Sequence, residues 1–194
     1  RGAEWQLVLE ERGEQDTVSA RVLVNATGPW LADLARGVLR DASAAHLRLV
    51  KGSHIAVHRL FDHDRGYIFQ NEDRRVVFAL PFAGDFTLIG TTDDAFAGDP
   101  QGVTPGADDI DYLCRAVDGY LRPQISPSDV VWSFAGVRAL YDDGSQRPQD
   151  ATRDYVLSLD ERSDLAPLLT VYGGKITTYR RLAEKALERL APIL

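Results

Sequence analysis

The chain has 194 residues and a formal net charge of −7, with 44% hydrophobic and 26% charged residues. This composition is typical of an ordinary globular protein with one sizeable core or two small ones, and it excludes a disordered chain. The acidic balance and the lack of a dense Lys/Arg run argue against nucleic acid as a partner, so any anionic ligand must be bound by a few local cations.

The first residue, the apolar runs and the single cysteine each limit what kind of protein this chain comes from. There is no methionine and the first residue is Arg1, which we interpret as an internal part of a longer protein that extends at least upstream. The longest apolar runs are far below the roughly 20 residues that a spanning helix needs. The single cysteine, Cys114, excludes an internal disulfide.

The first elements are predicted to be a hairpin, a strand end and a helix. Apolar residues alternate in residues 5–9 and again in residues 18–24, on either side of a polar stretch with Gly13, which predicts a β-hairpin. The second run leads into Ala26-Thr27-Gly28, and Pro29 is suited to the first position of a helix that continues to residue 39.

The middle of the chain is predicted to be an antiparallel sheet covered by one helix. Short β-rich runs at residues 47–60, 66–70, 76–81 and 86–92 are separated by polar or glycine-containing turns. Residues 110–121 then carry apolar side chains on one helical face, up to Pro123.

Three more strands and a final helix complete the pattern. The strands are predicted at residues 130–134, 155–159 and 168–172, and Gly173-Gly174 leads into a helix with an apolar face from Tyr179 to Leu190. The fold class is therefore α/β (α+β mixed), with a mainly antiparallel insertion between two groups of mixed segments.

Two glycine-containing turns follow predicted buried strands. At Ala26-Thr27-Gly28 the glycine lets the backbone approach a flat or anionic group, although such turns are common structural features and no Gly-x-Gly-x-x-Gly is present. At 173–180 the sequence Gly-Gly-Lys-Ile-Thr-Thr-Tyr-Arg brings backbone N–H groups to a helix start, which favours anions. A plain turn capped by Thr177 or Thr178 is the alternative.

Arg138 and Lys175 are the candidate cations for an anionic substrate. Both follow a β-rich run and a glycine, and the guanidinium of Arg138 can bind two oxygens of a phosphate. The structural alternative is an ion pair of Arg138 with Asp142 or Asp143.

His54 is the candidate base. Alternation places it on the same strand face as His58, about 13 Å away at roughly 3.3 Å per residue, which is too far for a shared metal. The acidic clusters lack the calcium-binding loop pattern, so we predict no metal site. A histidine can accept a hydroxyl proton near neutral pH, and the alternative is a structural, hydrogen-bonded histidine.

A set of motifs resembles the FAD-dependent glycerol-3-phosphate dehydrogenases, from about Val22 to the C-terminus. In chain order they are Val-Asn-Ala-Thr-Gly-Pro-Trp at 24–30, Lys-Gly-Ser-His at 51–54, Ile-Gly-Thr-Thr-Asp at 89–93, Gly-Val-Arg at 136–138, Thr-Arg-Asp-Tyr at 152–155 and the run at 173–180. The Ala-Thr-Gly turn occurs across flavin oxidoreductases of the glutathione-reductase and D-amino-acid-oxidase type, whereas the 51–54 and 173–180 motifs are far more specific.

The resemblance implies an FAD domain interrupted by a substrate domain. Residues 1–46 and 128–194 are then parts of the FAD-binding domain, and residues 47–127 form most of the substrate-binding domain. The residues that match substrate-binding and catalytic positions are Arg138, Lys175 and His54. The predicted cofactor-binding residues are Ala26, Thr27, Gly28, Trp30, Gly136, Gly174, Lys175, Ile176 and Thr177. Ala139 departs from the family, which commonly has proline there, and the family's N-terminal dinucleotide fingerprint has no counterpart in the chain.

The activity implied for the parent protein is oxidation of sn-glycerol 3-phosphate to dihydroxyacetone phosphate, with hydride transfer to FAD and electrons passed to a quinone. The resemblance also implies possible peripheral association with the cytoplasmic side of the inner membrane. Two alternatives stay open: an FAD-dependent amine or 2-hydroxyacid oxidase of the same fold, and an isolated module without activity.

Overall fold

The computed structural model describes residues 4–39, 47–122, 124–144, 152–161 and 166–194, with the backbone alone for residues 38 and 39. It contains two compact units. The first draws its described residues from Arg1–Leu47, Ala139–Asp143 and Thr152–Leu194, and the second from Arg48–Arg138 and Gly144–Ala151. The assignment of an FAD-binding and a substrate-binding domain, with boundaries at 46/47 and 127/128, stays a prediction.

The first unit begins with the predicted hairpin. Strands β1 (Trp5–Glu11) and β2 (Glu14–Ala20) pair antiparallel, with Glu11 opposite Glu14. The two-residue loop has positive φ at both positions, 54° at Arg12 and 85° at Gly13. Such a left-handed pair matches the twist of the strands that it joins, so the hairpin is confirmed with a tighter loop than the polar stretch indicated.

A three-stranded sheet forms the centre of the first unit. It contains β3 (Leu23–Asn25), β10 (Val156–Asp160) and β11 (Leu168–Tyr172). The central strand β11 pairs parallel with β3 and antiparallel with β10. The continuous strand expected over residues 18–24 is wrong, because β2 ends at Ala20 and β3 belongs to this other sheet. Apolar and polar residues continue to alternate when the chain passes from one sheet to another. The pattern in residues 18–24 therefore did not reveal the break between β2 and β3.

Helices follow both glycine-containing turns of the first unit. A 3₁₀ turn (Gly28–Trp30) leads into α1 (Leu31–Leu34) and a π-helical turn (Ala35–Leu39). The C-terminal helix α3 (Tyr179–Leu190) follows a second 3₁₀ turn (Ile176–Thr178). The predicted apolar face of α3 is only partly covered, because Leu190 is buried while Tyr179 and Leu187 are exposed.

The second unit is built on a six-stranded sheet. Its strands are β4 (Leu47–His58), β5 (Tyr67–Gln70), β6 (Val76–Phe82), β7 (Phe86–Gly90), β8 (Asp94–Ala95) and β9 (Val130–Tyr141). The order is β5-β6-β7-β4-β8, and β9 also pairs with β4. Along the path from β5 to β8 all neighbours run antiparallel, as predicted.

One face of this sheet is covered by the helix α2 (Ala107–Asp118). The buried core residues come from alternate strand positions and from the inner side of the helix: Ile55, Val57, Phe69, Val77, Ala79, Ile89, Leu113, Cys114, Ala116, Val117 and Ile125. The covering helix is therefore confirmed. It ends three residues before the predicted Leu121, and Pro123 lies outside the described residues.

Strand β9 is longer than expected, and this changes the setting of Arg138. The sequence predicted a strand that ends at residue 134, with Arg138 beyond its end, but β9 continues to Tyr141. The expectation of a cation at a strand end is therefore wrong for Arg138. Arg138 therefore lies within a regular strand, and Gly136 is accommodated inside β9.

Candidate active site

The guanidinium of Arg138 is held by three consecutive residues that follow β7. Nη2 donates to Thr91 Oγ1 at 2.9 Å, and Nη1 donates to Asp93 Oδ1 at 3.0 Å and to the carbonyl oxygen of Thr92 at 3.3 Å. The Asp93 side chain is only 9% exposed, so the ion pair is well shielded. Asp93, which the sequence did not single out, is therefore an ion-pair partner of Arg138.

Gly52 provides the surface on which this guanidinium lies. A Cβ atom built on Gly52 would come within 2.5 Å of both Nη1 and Nη2 of Arg138, and within 2.6 Å of Thr91 Oγ1. Real Cβ atoms do not approach other atoms so closely. Glycine in the Lys-Gly-Ser-His motif thus makes room for the arginine.

His54 lies on the same strand, two residues further along. Its imidazole stacks on the Phe134 ring with the centroids 4.7 Å apart and the planes 3° from parallel. Across the sheet it faces Gly90, where an added Cβ would collide with the imidazole ring. Stacking on Phe134 and the space left by Gly90 therefore fix the position of the His54 ring.

The protonation state of His54 suits a base. Burial lowers the pKa of His54 below its ordinary value of 6.5, and the positive charge of Arg138 lowers it further. The imidazole is therefore neutral at pH 7 and can accept a proton. Among the described residues its buried Nδ1 has no hydrogen-bond partner, so the hydrogen-bonded structural role that the sequence left open is not filled at this atom.

These side chains share one face of the sheet, opposite α2. Phe134, Gly136 and Arg138 occupy alternate positions of β9, and Gly52 and His54 occupy alternate positions of β4. A Cβ added at Gly136 would meet no atom of the residues that the structure describes within 4 Å. This face therefore combines a fixed cation, a neutral imidazole and open space over a glycine.

The other face of β4 carries a different cluster. Lys51 Nζ lies 2.7 Å from Asp109 Oδ2, Ser53 Oγ donates to the same oxygen at 3.0 Å, and the N–H of Gly106 donates to it at 2.8 Å. Burial would raise the pKa of Asp109, but these hydrogen bonds outweigh it and hold the pKa below its usual value. Lys51 and Ser53 thus tie β4 to the start of α2.

In the first unit, both predicted cofactor turns lie at one edge of the three-stranded sheet. Strand β3 ends at Asn25, which pairs with Thr170 of the parallel strand β11. The turns at 26–28 and 173–174 follow these two strands. Ligands of α/β sheets characteristically bind at the carboxyl ends of neighbouring parallel strands.

Asn25 shapes the first of these turns. Its side chain is fully buried, and its Oδ1 accepts hydrogen bonds from Thr27 Oγ1 at 2.7 Å and from the Thr27 N–H at 3.4 Å. Its Nδ2 donates to the carbonyl oxygen of Leu31 at 3.4 Å. The buried amide therefore fixes the path of Ala26-Thr27-Gly28, which leaves Ala26 and Thr27 exposed.

The second turn has the backbone that close ligand approach requires. Gly173 and Gly174 have φ values of 66° and 99°, which favour glycine, and a Cβ on Gly173 would lie 3.0 Å from the carbonyl oxygen of Asp154. Ile176 is 86% exposed beside them. An exposed apolar side chain next to exposed backbone fits the flat, partly apolar ring of a flavin.

Lys175 and Trp30 also lie in the first unit. The Lys175 side chain is half exposed and pairs loosely with Asp154, at 3.7 Å between Nζ and Oδ1. The Trp30 side chain is 46% exposed in the 3₁₀ turn after Gly28. Joint action of Lys175 with Arg138, and flavin contacts of Gly136 and Thr177, stay predictions.

The structure thus brings His54 and Arg138 together in the second unit, and the two glycine turns together in the first. Sequence reasoning missed Thr91, Asp93, Gly90 and Phe134. The run Ile-Gly-Thr-Thr-Asp at 89–93 was recognised as a motif, but no partner was predicted for Asp93. Asp93 lies 45 positions before Arg138, and nothing in the linear pattern joins them.

Glycine turns at parallel strand ends in one unit, and a sheet with a cation and a neutral histidine in the other, fit the class of flavin-dependent oxidoreductases. The chain belongs to the FAD dependent oxidoreductase family, whose model matches residues 1–179. It is 47% identical over 189 residues to a glycerol-3-phosphate dehydrogenase of Pseudomonas aeruginosa, covering 97% of this chain and 37% of that protein. It is also 47% identical over 183 residues to a D-erythritol 1-phosphate dehydrogenase of Brucella abortus, covering 94% and 36%.

Structural similarity agrees with this family. The glycerol-3-phosphate dehydrogenase of Bacillus halodurans complexed with FAD superimposes with a TM-score of 0.74 at 31% identity, over 96% of this chain and 35% of that one. The chain thus spans somewhat more than a third of the length of the relatives it matches. The mixed α/β fold and the resemblance to FAD-dependent glycerol-3-phosphate dehydrogenases are confirmed.

Among the described residues, no helix is both long and apolar enough to cross a membrane. Within the same ranges, His, Cys, Asp and Glu side chains form no group of three that could hold a metal ion.

Proposed function

We propose that the protein to which this chain belongs oxidises sn-glycerol 3-phosphate to dihydroxyacetone phosphate. The observation that carries the proposal is the fixed guanidinium of Arg138 on the same sheet face as the neutral imidazole of His54. A polyol phosphate offers the matching groups, a dianion for the arginine and a hydroxyl for the base. The similarity to glycerol-3-phosphate dehydrogenases supports the choice of substrate.

Each residue has a defined role in this proposal. Arg138 binds the phosphate and thereby orients the carbon chain. His54 accepts the hydroxyl proton of C2 as the C2 hydrogen leaves with its electron pair. FAD supplies the acceptor for that hydride when it is bound, and the turns at 26–28 and 173–177 are the parts of this chain that would hold it. Lys175 is the proposed second cation.

D-erythritol 1-phosphate is a second candidate substrate. The relative from Brucella abortus is as similar to this chain as the glycerol-3-phosphate dehydrogenase is. Both molecules belong to one class, polyol monophosphates with a secondary alcohol.

A quinone is the proposed electron acceptor. Because quinones dissolve in lipid, an enzyme that reduces them must reach a membrane surface, and we extend the proposal to peripheral association with the cytoplasmic side of the inner membrane. Sedimentation of the full-length protein with lipid vesicles, with and without quinone reduction, tests this part separately.

Steady-state kinetics of the full-length enzyme test the central proposal. We expect turnover of glycerol 3-phosphate or D-erythritol 1-phosphate, and loss of kcat/KM by about 100-fold or more in Arg138→Ala, because charge-assisted hydrogen bonds to phosphate are strong. Unchanged kinetics in Arg138→Ala would refute the phosphate role. Preferred turnover of amino acids or 2-hydroxyacids would instead support an oxidase of the same fold.

A further inference from the structure

The three-residue segment Thr91-Thr92-Asp93 contacts Arg138 through both terminal nitrogens of the guanidinium. Asp93 and the Thr92 carbonyl accept from Nη1, and Thr91 accepts from Nη2. These residues directly follow β7, which pairs with β4 through His54 and Gly90. The acceptors are therefore anchored to the same sheet that carries the base.

Long side chains lose rotamer freedom when they bind, and an arginine already held in place loses less. Hydrogen bonds from both terminal nitrogens, together with the glycine surface beneath them, restrict rotation about the last bonds of the side chain. The guanidinium plane is therefore set before any ligand arrives.

We propose that Thr91 and Asp93 are positioning residues, which hold the Arg138 guanidinium in the orientation that binds the substrate phosphate. This inference rests on the proposed function. Neither residue needs to touch the substrate, because both act through Arg138.

Asp93 could affect phosphate binding in two ways, by positioning Arg138 or by neutralising its charge. The direction of the change in KM separates these two roles. As a buried carboxylate 3.0 Å from the cation, it reduces the positive charge offered to a phosphate. If neutralisation were its main effect, Asp93→Asn would strengthen substrate binding and lower KM. If positioning dominates, the same change raises KM, because the amide oxygen of Asn accepts a weaker hydrogen bond from the guanidinium than the carboxylate does. Thr91→Val removes the hydroxyl that accepts from Arg138 and donates to the Thr92 carbonyl oxygen at 3.1 Å, without a change of charge.

The test is a double-mutant cycle in the full-length, FAD-loaded enzyme. Asp93→Asn and Thr91→Val are each made in the wild-type and in the Arg138→Ala background, and kcat and KM are measured for the phosphate substrate. Asp94→Asn is the matched control, since Asp94 is the neighbouring acid and pairs instead with Arg75 at 3.8 Å. FAD content and Tm are recorded for every variant.

We expect each variant to lower kcat/KM about 10-fold or more, mainly through KM, in the presence of Arg138. In the Arg138→Ala background we expect no further loss, because coupled residues are non-additive. The control should match the wild type.

Three results would overturn the inference. A lower KM in Asp93→Asn would assign Asp93 to charge neutralisation, and an equal loss in both backgrounds would assign the two residues to general structure. Either leaves the phosphate role of Arg138 standing. Unchanged kinetics in Arg138→Ala would overturn that role and the positioning inference together.

Discussion

The Arg138 guanidinium lies against the backbone of Gly52, so closely that a methyl group at Gly52 would come within 2.5 Å of both terminal nitrogens. The glycine and the arginine are 86 positions apart in sequence, yet the guanidinium occupies space that only a glycine leaves open.

Gly52→Ala should weaken substrate binding and also lower Tm. The added methyl group meets the guanidinium and Thr91 Oγ1, so the arginine must leave its hydrogen bonds with Thr91 and the buried Asp93. The displaced guanidinium should raise KM about 10-fold or more. Gly119→Ala is the control, because a Cβ there meets no atom within 4 Å. A normal KM in Gly52→Ala would contradict the assigned site.

Gly90→Ala should be costly for the fold as well. The added methyl collides with the His54 ring, which is stacked on Phe134 and has little room to move. Overpacking of this kind typically costs about 1–3 kcal/mol in the free energy of unfolding. Denaturant unfolding measures the loss. In the background His54→Ala the same substitution should be nearly neutral, and a full loss there would show that another contact is responsible.

The pH dependence of kcat/KM should report His54. Because its pKa is lowered below 6.5, activity should persist into mildly acidic solution and fall only as pH drops through that lowered value, where the imidazole becomes protonated. Arg138→Ala removes the smaller cause of the shift, so the acidic limb should move upward but stay below 6.5. Arg138→Lys keeps the charge and should leave it in place. An acidic limb above 6.5 in the wild type would exclude His54 as the base.

Asp109→Asn should destabilise the second unit through Lys51. Removal of one partner of a buried ion pair leaves an uncompensated charge and costs about 3–5 kcal/mol; the Lys51 and Asp109 side chains are 19% and 10% exposed. Since the pKa of Asp109 is lowered in the folded state, its contribution is present above the unfolded pKa and is lost as pH falls through the folded one. Unfolding curves at several pH values check both points. Lys51→Met combined with Asp109→Asn should recover part of the loss.

Asn25→Ala should loosen the first cofactor turn. The buried amide bonds both the N–H and the hydroxyl of Thr27, and its loss costs about 1–3 kcal/mol. In the full-length enzyme we expect weaker retention of FAD, measured as an increased dissociation constant in flavin fluorescence titration. Val24→Ala alters the exposed neighbouring side chain and should retain FAD as the wild type does.

The sequence predicted the sheet of the second unit well, because alternation in residues 47–92 depends on one covered face and α2 supplies that cover. It also placed His54 on the face away from Ile55 and Val57. The sequence-based prediction failed where the structure depends on which distant strand or side chain a residue pairs with. The break between β2 and β3, the continuation of β9 through Gly136, and the pairing of Asp93 with Arg138 all depend on strands that are distant in sequence. Gly52 was recognised within a motif, but the need for a glycine follows only from the arginine above it.

The two faces of strand β4 contribute to different parts of the structure. Lys51 and Ser53 are directed to α2, whereas Gly52 and His54 are directed to the candidate site. Because side chains alternate, a shift of β4 by one residue would exchange these faces and place an ion-pair lysine where the guanidinium now lies. It would also take His54 away from Gly90, the position on β7 with no Cβ to meet the ring. An insertion or deletion of one residue within β4 should therefore be far more damaging than most substitutions, while a change in loop length between β5 and β6 leaves this register untouched.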